Sequence, residues 1–274
     1  MDQPDAHSLL ACLPEKITVV LDGYSFDYNY QRILKAQGHF LVSIDDIQKT
    51  HFISDIVINH GVNIKEENYS CESYTKLFTG LHYMMLRKPF FNVMHQQRMI
   101  SHTETLLVVP GGNDLKNISV LLLDNGIDEH FKRVHIISGA GAASFGRLME
   151  LAGNRNNVMV HQNLTADEFI AIGKNCDICI GTPSGVSYEL SCIGTGLILC
   201  LIAENQQHFF DFFMDEELAK GCRFDDDNNI HELLNLIYAL KNDTALINLQ
   251  VSNQKRFFSA DSKINLLKIF KEIA

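Results

Sequence analysis

A turn of small residues between two apolar stretches is the part of the sequence best suited to chemistry. Residues 178–180 read as a buried strand, residues 181–185 as a turn rich in small residues, and residues 186–192 as a short helix. Residues 197–202 follow as another apolar strand, so the segment has the order of a βαβ unit. The free N–H groups and the helix dipole at such a helix start favour a bound phosphate. The alternative is a turn that only joins strand to helix.

The groups at this helix start are therefore candidate nucleotide-binding groups. Backbone N–H groups would hold the phosphates at Ser184, Gly185, Val186 and Ser187. Glu189 lies one turn further into the helix, where its carboxylate could reach a ribose hydroxyl.

A second small-residue turn follows the apolar run 106–109. It contains Gly111, Gly112, Asn113 and Asp114, and the next helix is predicted to begin at Leu115 or Lys116. Two glycines ahead of a helix permit a ligand to approach the backbone closely. A tight connection between strand and helix needs nothing more, so this turn by itself is weak support for a ligand.

Polar residues end three apolar runs in the first third of the chain, namely Asp22 and Tyr24, Asp45 and Asp46, and Asn59. The runs read as parallel strands joined by helices, a pattern typical of sheets covered on both faces. Ligands of such sheets bind outside the carboxyl ends of the strands, so we expect these side chains to line a cleft. The alternative for each residue is a strand cap or a turn former.

Composition excludes several classes of protein. The chain has 274 residues, 46% of them hydrophobic, and a net charge of −10 with no basic block along the sequence. One or two folded domains are expected, and nucleic-acid binding is not. The longest apolar run, residues 197–203, is too short to cross a bilayer, and Asp2 and Asp5 stand where a signal peptide carries positive charge. These features predict a cytoplasmic protein.

Cysteine and histidine usage predicts no disulfide framework, no metal site and no cofactor. The seven cysteines are an odd number, and several lie inside apolar strand or helix patterns. Cys176 and Cys179 form a C-x-x-C pair, but no second pair or histidine at zinc spacing accompanies them. The twelve histidines are scattered, so we interpret them as surface and core residues.

The order of strands and helices predicts an α/β protein with two doubly wound parallel-sheet domains. The polar stretch around residues 95–104 is the predicted boundary, which gives domains of residues 1–98 and 99–274. The first domain has fewer predicted strands, even with residues 81–86 counted as one, and we expect it to be incomplete. Beyond residue 206 the apolar spacing predicts mostly helix, including residues 263–273. Earlier in the chain the pattern predicts a helix over residues 28–36 and strands over residues 40–44, 134–138 and 158–161.

Seven short motifs follow one another along the chain: Asp22-Gly23-Tyr24, Ile44-Asp45-Asp46, Asp55 to Asn59, Gly80 with Tyr83, Leu86, Arg87 and Phe90, Gly111-Gly112-Asn113-Asp114, Tyr188-Glu189, and Asn205-Gln206. In this order they resemble the motifs of the UDP-sugar hydrolases of the pseudaminic acid pathway. Each motif is weak by itself, but together they span most of the chain from Val19 onward.

The resemblance implies a GT-B architecture of two α/β domains. It also implies release of UDP from a diacetamido-trideoxy sugar by water, as a step of surface-polysaccharide biosynthesis. By carry-over from the family, Tyr24 and Asn205 would face the sugar or the attacking water as catalytic residues, and Asn205 and Gln206 would bind the sugar. The nucleotide would bind in the C-terminal domain, where it would contact the turns at residues 111–114 and 184–187 and the Glu189 side chain. UDP or a UDP-sugar is thus the expected ligand, and no metal is implied.

The sequence departs from this family where the family carries its catalytic histidine. No match to the family's glycine-rich loop G-x-G-H-x-x-R occurs in residues 1–16, and Gly38-His39 lies in a helix-to-strand turn instead. Residues 184–187 read S-G-V-S in place of the family's G-S-T-T. We therefore predict retained UDP binding with very slow or absent hydrolysis. A homodimer or a partner chain would complete the N-terminal domain.

Three functions agree with the sequence. They are a UDP-sugar hydrolase, a glycosyltransferase-like enzyme with another acceptor in place of water, and a non-catalytic nucleotide-sugar binding protein. An acceptor groove in the N-terminal domain would favour the second. Asp22, Asp45 or Asp46 could replace the missing base, because these carboxylates ionise readily and share the predicted sheet edge.

Overall fold

The structure is a computed structural model that describes residues 5–94, 96–139, 141–226, 229–258 and 261–273. His95, where the predicted linker begins, lies outside these ranges. The strands are β1 (Thr18–Asp22), β2 (Phe40–Ile44), β3 (His51–Phe52), β4 (Ile56–Asn59), β5 (Ser70–Cys71), β6 (Lys76–Thr79), β7 (Thr105–Val109), β8 (Arg133–Ile137), β9 (Val158–His161), β10 (Ile178–Gly181), β11 (Gly196–Leu201) and β12 (Lys220–Arg223).

The helices join these strands. The α-helices are α1 (Ala6–Leu10), α2 (Tyr28–Ala36), α3 (Phe90–Val93), α4 (Ile118–Asp124), α5 (Phe145–Gly153), α6 (Ala166–Lys174), α7 (Gly185–Ile193), α8 (Gln207–Asp215), α9 (Ile230–Lys241), α10 (Thr244–Phe257) and α11 (Asp261–Glu272). Short 3-10 helices lie at Glu66–Asn68, Leu81–Tyr83, Ile127–His130 and Glu204–Gln206.

The chain divides into two compact units, which we call unit 1 (residues 1–85 with 261–274) and unit 2 (residues 86–260). This division falls before the sequence-predicted one between residues 98 and 99. The segment that follows residue 85 packs within unit 2, where the Phe90 ring contacts the Phe169 ring at 5.8 Å between centroids. Arg98 donates hydrogen bonds to the carbonyl oxygens of Gly173, Gly194 and Cys176. A stretch that reads as a polar linker is therefore held down by side-chain contacts that its local sequence does not reveal.

Unit 1 contains a four-stranded parallel sheet in the order β1-β2-β4-β6. Asp22 pairs with Ile44 and Ile44 with Ile58, so the carboxyl ends of the first three strands lie level. The predicted strand over residues 81–86 is wrong. Gly80, with φ of +87°, ends β6, and a 3-10 turn follows it.

The last helix of the chain belongs to unit 1. Ile269 of α11 is buried against a cluster that includes Val42, Ile56 and Ile58 of the sheet. The Asn265 side chain donates a hydrogen bond of 3.1 Å to the His82 carbonyl oxygen. The predicted helix at residues 263–273 is thus present, and it covers one face of the unit 1 sheet.

Unit 2 contains a six-stranded parallel sheet in the order β12-β11-β10-β7-β8-β9. Strands β10 and β11 are buried along their whole length, as expected where helices cover both faces of a parallel sheet. The edge strand β12 has the sequence KGCR, which carries no apolar run, and the sequence did not predict it. The four-stranded and six-stranded parallel sheets confirm the predicted α/β class.

Candidate functional site

The two small-residue turns of unit 2 lie side by side. Strands β7 and β10 are neighbours in the sheet, and Val109 at the end of one pairs with Gly181 at the end of the other. A methyl group built on Gly111 would come within 3.8 Å of the Thr182 hydroxyl oxygen. The predicted nucleotide-binding turns therefore share one position at the carboxyl edge of the sheet, where α/β proteins bind ligands.

The start of α7 presents its backbone. Among the described residues, no side chain caps this helix, whose cap position is Ser184. The Ser187 hydroxyl is buried and donates to the Ser184 carbonyl oxygen at 2.6 Å. A methyl group on Gly185 would meet no described atom within 4 Å. The first amides of α7, including that of Val186, rather than serine hydroxyls, are thus the groups suited to an anion.

The turn after β7 is also open, but its last residue faces inward. Gly111 has φ of +93°, and a methyl group on Gly112 would have open space around it in the described part of the chain. The Asp114 carboxylate instead accepts hydrogen bonds from the N–H groups of Ile118 and Ser119 at 2.8 and 3.1 Å. Burial raises the pKa of this carboxyl group. Asp114 therefore serves the start of α4 and is not turned to a ligand.

Helix α4 begins later than the sequence predicts. It starts at Ile118 rather than at Leu115 or Lys116, because Asn117 has φ of +52° and Asp114 has φ of +41°. The two left-handed residues form a compact turn that the Asp114 carboxylate closes.

The neighbouring loop after β8 packs against the same turn. A methyl group on Gly139 would overlap the carbonyl oxygen of Gly112, and one on Gly141 would come within 2.5 Å of the Asn113 side-chain oxygen. Glycine is therefore required at position 139, where the neighbour is backbone, whereas the Asn113 side chain could move away from a larger residue at position 141. Neither Gly139 nor Gly141 was predicted as a site residue, although a glycine directly after a predicted strand, as at position 139, is the signal that marks such a close approach.

Glu189 does not point freely into solvent. Its two carboxylate oxygens accept hydrogen bonds from Nε and Nη2 of Arg87 at 2.7 and 2.8 Å. The Arg87 guanidinium lies 5.1 Å from the centre of the Phe90 ring and 5.5 Å from that of Phe169. A ribose hydroxyl that binds Glu189 would share the carboxylate with Arg87.

The two predicted sugar-binding residues follow β11 in a 3-10 helix. Asn205 is exposed there. The Gln206 side-chain oxygen accepts a hydrogen bond of 3.3 Å from the N–H group of Ile202, so this residue braces its own turn. Asn205 is consequently the better placed of the two to meet a ligand.

In unit 1, Tyr24 is 70% exposed, and its hydroxyl donates a hydrogen bond of 2.8 Å to Asp46. This hydrogen bond is the largest of the causes that raise the Tyr24 pKa, and burial and nearby carboxylates add to it. The phenol is therefore protonated at neutral pH. Tyr24 can orient a ligand by donating or accepting a hydrogen bond, but it does not act as a base in this state.

Asp45 is held by a network that ties the ends of β2 and β4 together. It accepts hydrogen bonds from the backbone N–H group of Gln48 at 3.0 Å and from the Tyr69 hydroxyl at 2.8 Å. Tyr69 in turn accepts a hydrogen bond from the buried amide of Asn59 at 2.8 Å. Burial raises the Tyr69 pKa, so its hydroxyl stays a donor. Asp45 and Asn59 therefore act as strand-end caps, which is the alternative that the sequence offered for them.

A small cavity of about 180 Å³ lies at the same carboxyl edge. Asp22, Tyr24, Asp45, Asp46 and His60 line it. Asn59, the polar residue at the end of β4, is not among the residues that line this cavity. His60 follows β4 directly, and the strand-end pattern extended by one residue beyond Asn59 would have predicted it as a lining residue.

A second and larger cavity adjoins the first. Its volume is about 290 Å³, and it shares Tyr24 and Asp45 with the smaller cavity. Its apolar lining includes Leu21, Phe26 and Phe52. Unit 1 thus offers a half-apolar space next to an acidic one, both with the dimensions of a small-molecule subsite.

The cysteine pair is buried within unit 2. Burial raises the pKa of both thiols, that of Cys179 to about 12, so neither is a thiolate at neutral pH. In the described part of the chain, no group of three or more His, Cys, Asp or Glu side chains could hold a metal ion. None of the described helices is long and apolar enough to span a membrane.

No protein-family model matches the chain, and a search of curated proteins finds no match. Among solved structures, MurG from Acinetobacter baumannii has a TM-score of 0.61 at 12% identity, over 98% of this chain and 76% of that one. S. aureus MnaA, determined with UDP, has a TM-score of 0.65 at 9% identity, over 98% and 79%. The calicheamicin glycosyltransferase CalG4 has a TM-score of 0.58 at 13% identity, over 93% and 72%. The chain therefore has a GT-B-like α/β fold, as its sequence resemblance implies.

Proposed function

We propose that the chain binds UDP or a UDP-sugar at the carboxyl edge of the unit 2 sheet. The observation that carries this proposal is the uncapped start of α7, with open space at Gly185, beside the open glycine of the Gly111-Gly112 turn. Backbone N–H groups at a helix start bind phosphate groups because they combine unpaired donors with the helix dipole. The similar structure of S. aureus MnaA was determined with UDP, which agrees with this choice of nucleotide.

The chemistry we propose is cleavage of the bond between the anomeric carbon of the sugar and the diphosphate. Amides at the start of α7 and near Gly112 would stabilise the charge that develops on the leaving diphosphate. In the reaction that the sequence resemblance implies, water takes the place of UDP and the protein is a UDP-sugar hydrolase of surface-polysaccharide biosynthesis. Asn205, which lies in the same unit as the proposed nucleotide site, would orient the sugar.

The larger unit 1 cavity favours a second candidate, transfer of the sugar to an acceptor molecule. A water molecule occupies roughly 30 Å³ of liquid, whereas this cavity measures about 290 Å³ and has apolar walls at Phe26 and Phe52. Space and apolar surface of this kind suit an organic acceptor. The cavity is therefore the observation that favours a glycosyltransferase-like function as the second candidate.

The nucleotide site is tested with a charge placed at the helix start. Gly185→Asp puts a carboxylate at the first residue of α7, where the helix dipole tolerates it but a diphosphate is repelled. Gly146→Asp is the matched control, because Gly146 lies in the first turn of α5 and its methyl position is also open to solvent. Calorimetric titration with UDP should show binding by the parent and by Gly146→Asp, and at least tenfold weaker binding by Gly185→Asp. Absence of binding by the parent rules out the proposal.

The products formed from a UDP-sugar distinguish the two candidate reactions, hydrolysis and transfer. UDP release from a UDP-sugar in buffer alone supports hydrolysis. A release rate that rises with added small hydroxyl- or amine-bearing compounds, with a sugar conjugate as product, supports transfer. If the chain binds UDP but releases none from a UDP-sugar, with or without an added acceptor, its function is non-catalytic binding of a nucleotide-sugar.

We also propose a cytoplasmic location, and a homodimer or a partner chain, on the sequence features given above. Light scattering of the purified chain at several concentrations gives the mass of the assembly. A monomer at all of them argues against the homodimer.

A further inference from the structure

Three side chains of unit 1 are joined by hydrogen bonds beside β3 and β5. Nδ1 of His51 lies 2.7 Å from the Ser70 hydroxyl oxygen, and Nε2 of the same ring lies 3.3 Å from Oε1 of Glu72. None of the three lines either cavity described above. We infer that they form a serine-hydrolase triad with Ser70 as the nucleophile, and that this site cleaves small carboxylic esters. The inference goes beyond the proposed nucleotide function, because it involves residues of unit 1 only.

The pairing of the two strands sets this arrangement. His51 stands opposite Ser70 in the parallel register of β3 and β5, and Phe52 stands opposite Cys71. The ladder continues for one residue, since the N–H group of Glu72 donates to the Phe52 carbonyl oxygen at 3.0 Å. Ser70 and Glu72 are two residues apart in this extended segment, so they project from the same face. Backbone hydrogen bonds therefore hold the hydroxyl and the carboxylate where one imidazole ring meets both.

The carboxylate selects the form of the ring that a base needs. An ionised carboxylate only accepts hydrogen bonds, so Nε2 of His51 carries the ring proton and donates to Glu72. Nδ1 is then unprotonated and accepts the Ser70 hydroxyl. A nucleophile hydrogen-bonded to a base, with the base oriented by a carboxylate, is the arrangement of serine hydrolases, and it recurs on unrelated folds. Here Nδ1 rather than Nε2 faces the serine, and either ring nitrogen can accept the proton.

The triad is accessible from solvent. Ser70 is exposed, and the side chains of His51 and Glu72 are 37% and 44% exposed. The exposed Tyr28 ring lies beside the base, with its centre 5.8 Å from that of the His51 ring. An aromatic surface at this place suits the aryl group of an ester. The substrates we propose are therefore small esters of aromatic alcohols, which need no deep pocket.

A backbone N–H group next to Ser70 is suited to the negative charge that develops on the ester oxygen. Because Glu72 donates toward β3, the N–H group of Cys71, one residue earlier, points to the opposite side of β5. In the described part of the chain, β5 pairs only with β3. The N–H group of the residue after the nucleophile is an oxyanion-hole donor in α/β-hydrolases. The Cys71 N–H group is thus the donor that would stabilise the tetrahedral intermediate.

The proposed reaction is balanced by the ester and water alone. The Ser70 oxygen forms a bond to the carbonyl carbon, and its proton passes to Nδ1 of His51. The bond from that carbon to the alcohol oxygen breaks, and the alcohol leaves with the proton from His51. Water then attacks the acyl-serine, and His51 takes and returns a proton in the same way. The carboxylic acid is released and the Ser70 hydroxyl is restored.

The first test measures the reaction of Ser70 in the full chain. The substrate is para-nitrophenyl acetate, and the release of para-nitrophenol is followed by absorbance. Ser70→Ala should lower kcat/KM by about a hundredfold or more, because it removes the nucleophile. Ser25→Ala, which removes another exposed serine of unit 1, should turn over like the parent. Peptide mass spectrometry of the parent after reaction with diisopropyl fluorophosphate should find the phosphoryl group on Ser70.

The base and the carboxylate are tested by measuring kcat and KM separately. His51→Gln should lower kcat by about a hundredfold, whereas His82→Gln, which changes an exposed histidine of the same unit, should not. Glu72→Gln should lower kcat by roughly tenfold with KM unchanged, because this carboxylate orients His51 and does not touch the ester. Glu67→Gln, an exposed glutamate of unit 1, is its control. Added imidazole should restore turnover to His51→Ala, which separates lost chemistry from misfolding.

Cys71 allows the backbone donor to be removed without loss of a strand hydrogen bond. Proline lacks an N–H group and is tolerated on an edge strand where that group faces away from the ladder. Cys71→Pro should lower kcat by about a hundredfold. Cys71→Ala is the matched control, since it removes the thiol and keeps the N–H group. Thermal unfolding midpoints show which variants keep the fold of the parent.

Three results would overturn the inference. The first is a parent chain that neither hydrolyses para-nitrophenyl acetate nor reacts with the fluorophosphate at Ser70. The second is a phosphoryl group on another residue in place of Ser70. The third is turnover of Ser70→Ala or His51→Gln within a few-fold of the parent, which would make these hydrogen bonds a structural tie between β3 and β5. Titration with UDP measures the proposed nucleotide function separately, since the triad contains no residue of unit 2.

Discussion

Arg87 and Glu189 form a two-point ion pair inside unit 2, although 102 residues separate them in the sequence. The Glu189 side chain is 13% exposed and that of Arg87 is 44% exposed. The carboxylate is thus the partner that depends on the pair, because it has little access to water.

Removal of Arg87 should destabilise the fold more than removal of a surface arginine. In Arg87→Ala the carboxylate of Glu189 loses both of its charged donors, and we expect the free energy of unfolding to fall by about 1–3 kcal/mol. Arg147→Ala breaks an exposed pair with Glu150 on α5 and should cost less than about 1 kcal/mol. Urea denaturation at neutral pH measures both. Equal losses in the two variants contradict the view that Glu189 depends on Arg87.

Glu189→Ala should weaken the binding of UDP. If Glu189 accepts a ribose hydroxyl while Arg87 holds it in place, its loss removes one charge-assisted hydrogen bond, which corresponds to a drop in affinity of roughly tenfold. Glu150→Ala, an exposed glutamate of the same unit, is the control and should bind UDP like the parent. Calorimetry with UDP decides the matter, and unchanged affinity in Glu189→Ala would remove Glu189 from the nucleotide site.

The free energy of unfolding should fall as the pH is lowered from 6.5 toward 4. These limits are the ordinary pKa of histidine and the lowered pKa of His135 in the folded protein. Nδ1 of His135 and Nε2 of His161 lie 2.9 Å apart, so one proton is shared and only one ring donates. Burial, helped by the neighbouring charge of His161, lowers the His135 pKa from 6.5 to about 4, and burial also lowers the His161 pKa. The unfolded chain binds protons more readily than the folded one, so stability is highest above pH 6.5 and declines toward pH 4.

The size of this effect is expected to be about 1–2 kcal/mol, since both rings are partly exposed. Thermal and urea midpoints measured across this range in the parent and in His135→Phe test it. The variant has lost one titrating group and should show a shallower decline. Parallel pH profiles for the two proteins would contradict the assignment to this pair.

Asp114→Ala should destabilise unit 2 through the start of α4. The variant leaves the N–H groups of Ile118 and Ser119 without the carboxylate that accepts them, at an expected loss of about 1–2 kcal/mol. Asp215→Ala removes an exposed carboxylate at the last residue of α8 and should change stability by less than about 0.5 kcal/mol. A loss of stability no larger than that of Asp215→Ala would show that the cap contributes little.

Local pattern was enough to determine many of the elements. The bounds of α2, β2 and β9 agree with the predicted ranges 28–36, 40–44 and 158–161 to the residue. Short apolar runs ended by polar or glycine residues carry this information within a few positions, because burial of one face and termination of a strand are local properties of the chain. The same logic placed Asp22, Asp45 and Asp46 at one sheet edge before their contacts were known.

Only the tertiary structure decided what these side chains do. Tyr69 is 24 residues from the Asp45 that it occupies, and Arg87 is still further from Glu189, so neither partnership leaves a trace in local sequence. The use of Asp114 as a helix cap and the place of His60 in a cavity depend on backbone angles and strand register. Local sequence determines which segments become strands and helices. The packing of distant segments determines which polar groups are already paired and which face open space. That pairing decides which residues can meet a ligand.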